Sequence, residues 1–313
     1  MGGFLEACAR RGRELLVAGL VAGLAGGLVW PEGVARLAPL IGPVVVVLLF
    51  MAVLRLGPEG VRAGLRGLGG ALVAVGLLQL ALPVGAALGL AALGWGGAVA
   101  LALVLTLAAA PITGSPNLAI LAGGDPVPAL RALVLGTALL PMTVIPVFLL
   151  VPDLGDAGAV AGVVLRLLGV IALAGGLALM LRGSGLVRAA HVPAIDGISA
   201  LLLAAIVVAL MGAAGPALLT PAGWVLLAGA MALSFGLQLA AGLVAWKRGG
   251  DPAAAGIVAG NRNIALFLGV LPAGLVPELL PWIGLYQIPM YLTPLLMPRV
   301  YAWLSRSSTA SRQ

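Results

Sequence analysis

The chain has 313 residues, of which 62% are hydrophobic and only 9% are charged, and its mean hydropathy is +1.20. Soluble domains are about half apolar and about a quarter charged, so this composition excludes a soluble globular protein and makes the lipid bilayer the solvent for most of the chain. The single cysteine, Cys8, and the single histidine, His191, exclude a disulfide within the chain and leave almost nothing for a metal site or a His-dependent catalyst. We therefore expect no enzyme, no resident metal and no cofactor.

Ten apolar stretches of the ~17–25 residues that cross the hydrocarbon core follow one another along the chain. Short loops rich in Gly, Pro and charged residues separate them, and no loop is long enough for a soluble domain. The predicted fold is therefore all-α, a polytopic membrane protein in which residues 1–313 form one transmembrane unit. The predicted spans are 14–30, 38–54, 68–92, 95–122, 127–151, 158–181, 193–214, 220–246, 253–275 and 279–304.

The basic residues of the connections lie almost entirely on one side of these ten spans. One basic residue, Arg36, falls on the opposite side, together with the acidic residues Glu32, Asp153, Asp156 and Glu278. Such a bias marks the cytoplasmic side, so we expect a multi-pass protein of a bacterial cytoplasmic (inner) membrane with both termini in the cytoplasm, and no nucleic-acid partner. The fourteen residues on the N-terminal side are Arg10, Arg11, Arg13, Arg55, Arg62, Arg66, Arg131, Arg182, Arg188, Lys247, Arg248, Arg299, Arg306 and Arg312.

Three short patterns occur in the same order in spans 3–5 and in spans 8–10, which indicates an internal repeat. An offset of five spans is odd, so the two halves run in opposite directions, as in the inverted repeats of many secondary transporters. The matching pairs are residues 78–81 with 237–240, 117–121 with 263–267, and 139–141 with 279–281.

Two predicted spans, the fourth and the ninth, contain helix breakers and polar residues near their middle. Residues 111–117 contain two prolines and a glycine, which break the backbone hydrogen-bond ladder, and residues 260–263 place three polar side chains in a row. Non-helical backbone at that depth is tolerated only where it lies against protein or a wet cavity. The predicted substrate-binding residues are Gln79, Thr113, Ser115, Asn117, Gln238, Asn261, Arg262 and Asn263.

Arg262 is the most informative of these residues, because a guanidinium near the middle of a membrane costs at least ~2.5 kcal/mol. We expect it to act in substrate binding or coupling; the alternative is a structural ion pair, for example with Asp196. Asn117 and Asn263 each begin a half-helix, whose unpaired N–H groups would join Arg262 in a site suited to an anion such as a carboxylate. Gln79 and Gln238 either line this site or hold neighbouring helices together.

At these positions the chain resembles the bile acid:sodium symporter family, within the bile/arsenite/riboflavin transporter superfamily. Gln79 and Pro83 match the Gln-x-x-x-Pro pattern of its third span, and residues 111–117 and 260–263 are similar to the breaks of its fourth and ninth spans. The resemblance implies ten helices with discontinuous helices 4 and 9 crossing at the centre. It also implies a panel part, approximately 14–54 and 158–214, and a core part, approximately 68–151 and 220–304.

The chain departs from the family where the family binds sodium. Val258 stands where the resemblance implies a glutamate, and Arg262 stands where it implies a glutamine; Ala129 and Leu133 replace expected hydroxyls. A sodium site without its carboxylate and with a cation inside it is electrostatically poor. Our hypothesis is that Arg262 replaces bound sodium, which makes transport sodium-independent.

The leading hypothesis is therefore a secondary active transporter that carries a small organic anion by alternating access. The alternatives are a sodium-coupled carrier like the bile acid symporters, an arsenite or metalloid efflux carrier, and a cation/proton antiporter. The efflux carriers rely on a mid-membrane cysteine whereas Cys8 is terminal, and an antiporter needs buried carboxylates whereas Asp196 is the only obvious acid within a span. The sequence specifies neither the substrate, the direction of transport nor the oligomeric state.

Overall fold

The structure, a computed structural model, describes residues 2–310; the side chains of Gly2, Arg13 and residues 306–310 are not described, and Arg312 lies outside the described residues. The described chain is helical and has no β-strand, which confirms the all-α class. Its α-helices are α1 (Gly2–Arg10), α2 (Gly12–Val29), α3 (Pro31–Ala35), α4 (Ala38–Gly64), α5 (Leu68–Val75), α6 (Leu82–Ala92), α7 (Gly97–Ala108), α8 (Ser115–Leu121), α9 (Pro126–Leu149), α10 (Ala157–Gly183), α11 (Val192–Ala217), α12 (Pro221–Lys247), α13 (Pro252–Gly260) and α14 (Val276–Ala310). A π-helical stretch, Gly76–Ala81, joins α5 to α6, and 3-10 turns cover Pro152–Leu154, Ala189–His191 and Ile264–Gly269.

Among the described residues, six helical stretches are long and apolar enough to cross a membrane. The bent pair Gly3–Arg10 and Glu14–Val29, with an angle of 75° between its parts, makes a seventh if it is one span. The chain is therefore a multi-helix protein of membrane-spanning character, whereas the count of ten spans and their inverted repeat stay predictions. The six stretches are Ala38–Gly64, Leu68–Ala92, Pro126–Leu149, Ala157–Gly183, Ala189–Ala217 and Pro221–Lys247.

The chain divides into two compact units. Unit 1 consists of Met1–Arg62, Ala157–Val225 and Ala265–Gly284, and unit 2 consists of Ala63–Asp156, Leu226–Ile264 and Leu285–Gln313. The functional division into a panel part and a core part stays a prediction.

Unit 1 is built on the close packing of α2 against α11. Gly19, Gly23 and Gly27 follow each other at four-residue spacing on α2, so they share one face of the helix. A Cβ atom at these three positions would lie 2.9, 2.7 and 2.3 Å from backbone oxygens of α11. The glycines therefore allow the two backbones to touch, which is how helices associate where lipid removes the hydrophobic driving force.

Unit 2 contains two copies of the tetrapeptide Gly-Gly-Asp-Pro, at residues 123–126 and 249–252. The aspartate of each copy caps a helix: Asp125 accepts from Val127 N at 2.9 Å at the start of α9, and Asp251 accepts from Ala253 N at 2.8 Å at the start of α13. The Asp251 carboxylate also accepts from the backbone N–H of Asp125. The two turns are thus joined, which fixes the start of α13 relative to α9.

We expect Gly27→Ala to lower the stability of the protein by about 1–3 kcal/mol, because its Cβ meets the carbonyl oxygen of Gly212 and forces α2 and α11 apart. Gly236→Ala on α12 is the matched control, since no atom lies within 4 Å of its Cβ position; it should leave stability unchanged or raise it by up to about 1 kcal/mol. Thermal unfolding of the purified protein in detergent measures both. Equal effects of the two substitutions would contradict the tight α2–α11 interface.

Candidate functional site

The two interrupted segments of unit 2 lie side by side at their breaks. The break between α7 and α8 and the break after α13 form a short antiparallel bridge between Pro111 and Arg262. The backbone N–H of Ile112 donates to the Asn261 carbonyl, and the N–H of Asn263 donates to the Ala110 carbonyl, each at 2.8 Å. The helix breakers at the two positions thus expose backbone groups that pair with each other, as buried polar groups must.

The two breaks thus meet at residues 110–112 and 261–263, which form the crossing. The Arg262 side chain lies within this crossing and is only 2% exposed. Its Nη2 donates to the carbonyl oxygens of Leu78 at 2.7 Å and Leu107 at 2.5 Å. Its Nη1 donates to the carbonyl oxygen of Val258 at 3.2 Å. One guanidinium thus joins three separate chain segments through their backbone oxygens, while its Nε is buried without a hydrogen-bond partner.

Prolines free two of these three carbonyls. In an α-helix the Leu107 oxygen would accept from residue 111, but Pro111 has no N–H. In the π-helical stretch the N–H of Leu82 donates five residues back, to Leu77, so the matching donor for Leu78 would be Pro83, which also has none. The third acceptor, the Val258 oxygen, belongs to the last turn of α13, where carbonyls lack partners within the helix.

Backbone dipoles, and not an acid, solvate the charge of Arg262. Leu107 and Val258 lie in the last turns of α7 and α13, and the C-terminal end of a helix carries partial negative charge. Within residues 2–310 no carboxylate forms an ion pair with Arg262. Asp196 pairs instead with Arg55, at 2.7 Å, within unit 1.

These contacts correct two expectations about Arg262. A structural pair with Asp196 is wrong, because Arg55 occupies that carboxylate. Nη1 and Nη2 donate to carbonyl oxygens, two of them at the C-terminal ends of α7 and α13, and the side chain is almost fully buried, so the guanidinium is not placed to hold an anion by direct hydrogen bonds.

The carbonyl of Gly260, just before the break, is held by two hydroxyls. Ser234 Oγ donates to it at 3.0 Å and the Tyr286 hydroxyl donates to it at 2.8 Å. A Cβ at Gly260 would lie 2.3 Å from Gln238 Cγ, so glycine is needed for α12 to approach this closely. The last turn of α13 is therefore fixed from the side of α12 and α14.

Gln238 and Asn261 belong to a fully buried polar network. The Tyr301 hydroxyl donates to Gln238 Oε1 at 3.0 Å, and Gln238 Nε2 donates to Thr293 Oγ1 at 3.0 Å. Thr293 Oγ1 lies 3.2 Å from Asn261 Oδ1, and Asn261 Nδ2 donates to the Ile257 carbonyl at 3.2 Å. These two predicted site residues therefore hold α12, α13 and α14 together, and no described opening reaches their side chains.

Gln79 and Ser115 are buried as well. Gln79 Nε2 donates to the Gly136 carbonyl at 3.1 Å, while its Oε1 has no partner; Ser115 Oγ donates to the Ile112 carbonyl at 2.6 Å. A Cβ at Gly136 would lie 2.3 Å from Gln79 Oε1 and 3.1 Å from Pro111. Gly136 on α9 thus provides the room in which Gln79 and the first break pack together.

Three predicted site residues remain accessible next to the crossing. Asn117, the third residue of α8, is exposed, and Thr113 and Asn263 are half-buried. None of these side chains forms a hydrogen bond with another described residue. They are therefore the polar groups at the breaks that a bound molecule can reach.

Four residues that complete the site could not be identified from the sequence. Ser234, Tyr286, Thr293 and Tyr301 are single polar positions in apolar helices and carry no local pattern that links them to the breaks. The acceptors Leu78 and Leu107 had a readable signal, since a proline stands five or four residues after each. A proline at that spacing marks a carbonyl that needs a donor from elsewhere.

We expect Arg262→Met to destabilise the protein by about 3 kcal/mol or more, because it leaves three buried carbonyls without a donor, at about 1–3 kcal/mol each. The stability of Arg262→Lys should lie between that of Arg262→Met and that of the parent, since an ammonium has three donors but no planar fork. Arg166→Met is the control, because Arg166 is an exposed residue of α10. Thermal unfolding in detergent tests this, and an Arg262→Met protein as stable as Arg166→Met would contradict the contacts described above.

No family model matches the chain, and no curated protein matches it. The resemblance to the bile acid:sodium symporter family stays a hypothesis drawn from residues 79–83, 111–117 and 260–263.

Proposed function

We propose that the chain is a secondary active transporter that carries a small organic anion by alternating access. The observation that carries the proposal is the crossing of two broken segments around a buried arginine that has no acid partner. Broken helices of this kind form the substrate and ion sites of transporters built from inverted repeats. The proposal includes ten transmembrane helices as five plus five, in a bacterial inner membrane with cytoplasmic termini.

We propose that Arg262 takes the place of a coupling cation. Carbonyl oxygens are the type of ligand that a hard cation such as sodium requires, and here three of them surround one guanidinium and accept from it. Transport is then independent of a sodium gradient and proceeds as uniport, exchange or proton-linked transport. Sodium coupling is the alternative that the experiments below distinguish.

The preference for an anion follows from the uncompensated charge of Arg262. Carbonyl dipoles solvate the guanidinium but do not cancel its charge, so the crossing has a positive potential. At an effective dielectric constant of about 20, a carboxylate roughly 6–8 Å from it is favoured by about 2–3 kcal/mol. The anion is attracted by this field and is hydrogen bonded by the accessible side chains of Thr113, Asn117 and Asn263.

Sodium dependence is tested by thermal unfolding of the parent and of Arg262→Gln in sodium chloride and in choline chloride. The parent should show no sodium-specific shift, because the carbonyls are occupied. Arg262→Gln should melt lower in choline and regain stability in sodium, since the freed carbonyls of Leu78, Leu107 and Val258 then have a cation to bind. A parent that is stabilised by sodium, with no gain in Arg262→Gln, would favour the sodium-coupled alternative.

The substrate class is tested by the binding of benzoate, pyruvate and cholate to the purified parent, with benzamide as the neutral partner of benzoate. We expect at least one carboxylate to raise the melting temperature while benzamide does not. Asn263→Ala should lower the affinity for that carboxylate by about three- to tenfold, the range for one lost hydrogen bond. Ser199→Ala in unit 1 is the control and should leave this affinity unchanged. Two results would contradict an anion carrier: benzamide stabilises the protein as much as benzoate does, or none of the three carboxylates stabilises it.

A further inference from the structure

Unit 1 contains a cavity of about 710 Å³ that is lined by apolar residues. It lies between α3 with the start of α4, the last turns of α11, and residues 268–280. Only Pro, Val, Ala, Ile, Gly and Leu line it, and the side chains that form its walls include Val34, Ile41, Ala209, Ala213, Leu271 and Leu280. No lining side chain offers a hydrogen bond, and most of the lining surface is hydrocarbon, so the cavity suits an alkyl chain.

The mouth of the cavity opens among exposed apolar residues. The lining residues Pro31, Pro39 and Pro216 are exposed. Trp30 and Leu40, which directly adjoin the first two, are 65% and 55% exposed. In a protein with this many membrane-spanning helices, such a surface faces lipid, and indole prefers the headgroup boundary. A chain that enters the cavity therefore comes from the bilayer.

Two opposite charges stand one helical turn apart next to the lining residues Pro31 and Ala35. Glu32 on α3 and Arg36, which caps it, are exposed and have the i, i+4 spacing that normally allows an ion pair. Neither takes part in an ion pair within residues 2–310, and Glu278, beside the lining residue Pro277, is exposed as well. Arg36 is also the one basic residue that the predicted topology places on this side of the membrane.

We propose that this cavity binds one acyl chain of a phospholipid whose headgroup carries a primary amine, of the phosphatidylethanolamine class. Arg36 holds the phosphate, and Glu32 holds the ammonium group, so a dipolar headgroup satisfies both charges where a purely anionic headgroup would face the two glutamates. Leu268 and Gly269, which line the cavity, follow the break at Arg262 by only a few residues. The lipid thus contacts the second half of the broken segment.

The test is native mass spectrometry of the delipidated full chain, titrated with dioleoyl phosphatidylethanolamine, dioleoyl phosphatidylglycerol and oleate. The parent should bind one phosphatidylethanolamine molecule. Its affinity for phosphatidylglycerol and for oleate should be lower by about threefold or more. Ala213→Phe fills the cavity and should weaken binding by about tenfold or more; Arg36→Gln removes the phosphate partner and should weaken it about three- to tenfold. Ala172→Phe, at an exposed position of α10, should bind as the parent does.

The cavity is not the binding site if Ala213→Phe binds phosphatidylethanolamine with the affinity of the parent, or if Ala172→Phe loses as much affinity as Ala213→Phe. Equal affinity for oleate or phosphatidylglycerol overturns the assignment of the headgroup. Thermal unfolding of the delipidated protein shows whether Ala213→Phe is folded, and Ala38→Phe fills the same cavity from α4. Loss of binding in folded Ala213→Phe and Ala38→Phe supports the proposal, and parent-like binding by either folded variant refutes it.

Discussion

One buried guanidinium and the carbonyls that it satisfies hold unit 2 together. Each unpaired polar group in an apolar interior costs about 1–3 kcal/mol, and the prolines at 83 and 111 leave two such carbonyls. Arg262, as a buried charge, would cost far more without acceptors. The breaks and the arginine therefore depend on each other: the prolines create the acceptors, and the guanidinium makes the non-helical backbone tolerable in a membrane-spanning protein.

The surroundings of the crossing leave few groups for a ligand. Hydroxyls from α12 and α14 donate to the Gly260 carbonyl, and the buried amides of Gln238 and Asn261 form hydrogen bonds within the protein. Close approaches at Gly136 and Gly260 leave no room for a side chain. A ligand that comes to the crossing therefore meets a fixed positive charge that it does not touch through Nη1 and Nη2, and a few accessible polar side chains. This arrangement favours a ligand by its negative charge, and the accessible side chains of Thr113, Asn117 and Asn263 then determine which anion binds.

Much of this arrangement could be predicted from the sequence, because proline and consecutive polar residues are local signals. They marked both breaks. The direction of its side chain could not be predicted, since the sequence does not show which ends of four half-helices face each other; amide ends were expected and carbonyl ends are found. Tyr286 is 26 residues from its partner Gly260 in the chain, and Tyr301 is 63 residues from its partner Gln238. Arg55 pairs with Asp196 across two helices, which no local pattern indicates.

The most direct test of this account is an experimental structure of the protein in lipid nanodiscs, determined in sodium buffer at a resolution that shows carbonyl oxygens. The account predicts that residues 111 and 262 pair at the crossing, and that the guanidinium lies within hydrogen-bond distance of the oxygens of Leu78, Leu107 and Val258, with no ion density between them. A continuous helix through residues 97–121, or a sodium ion coordinated by these oxygens with Arg262 turned away, would contradict it.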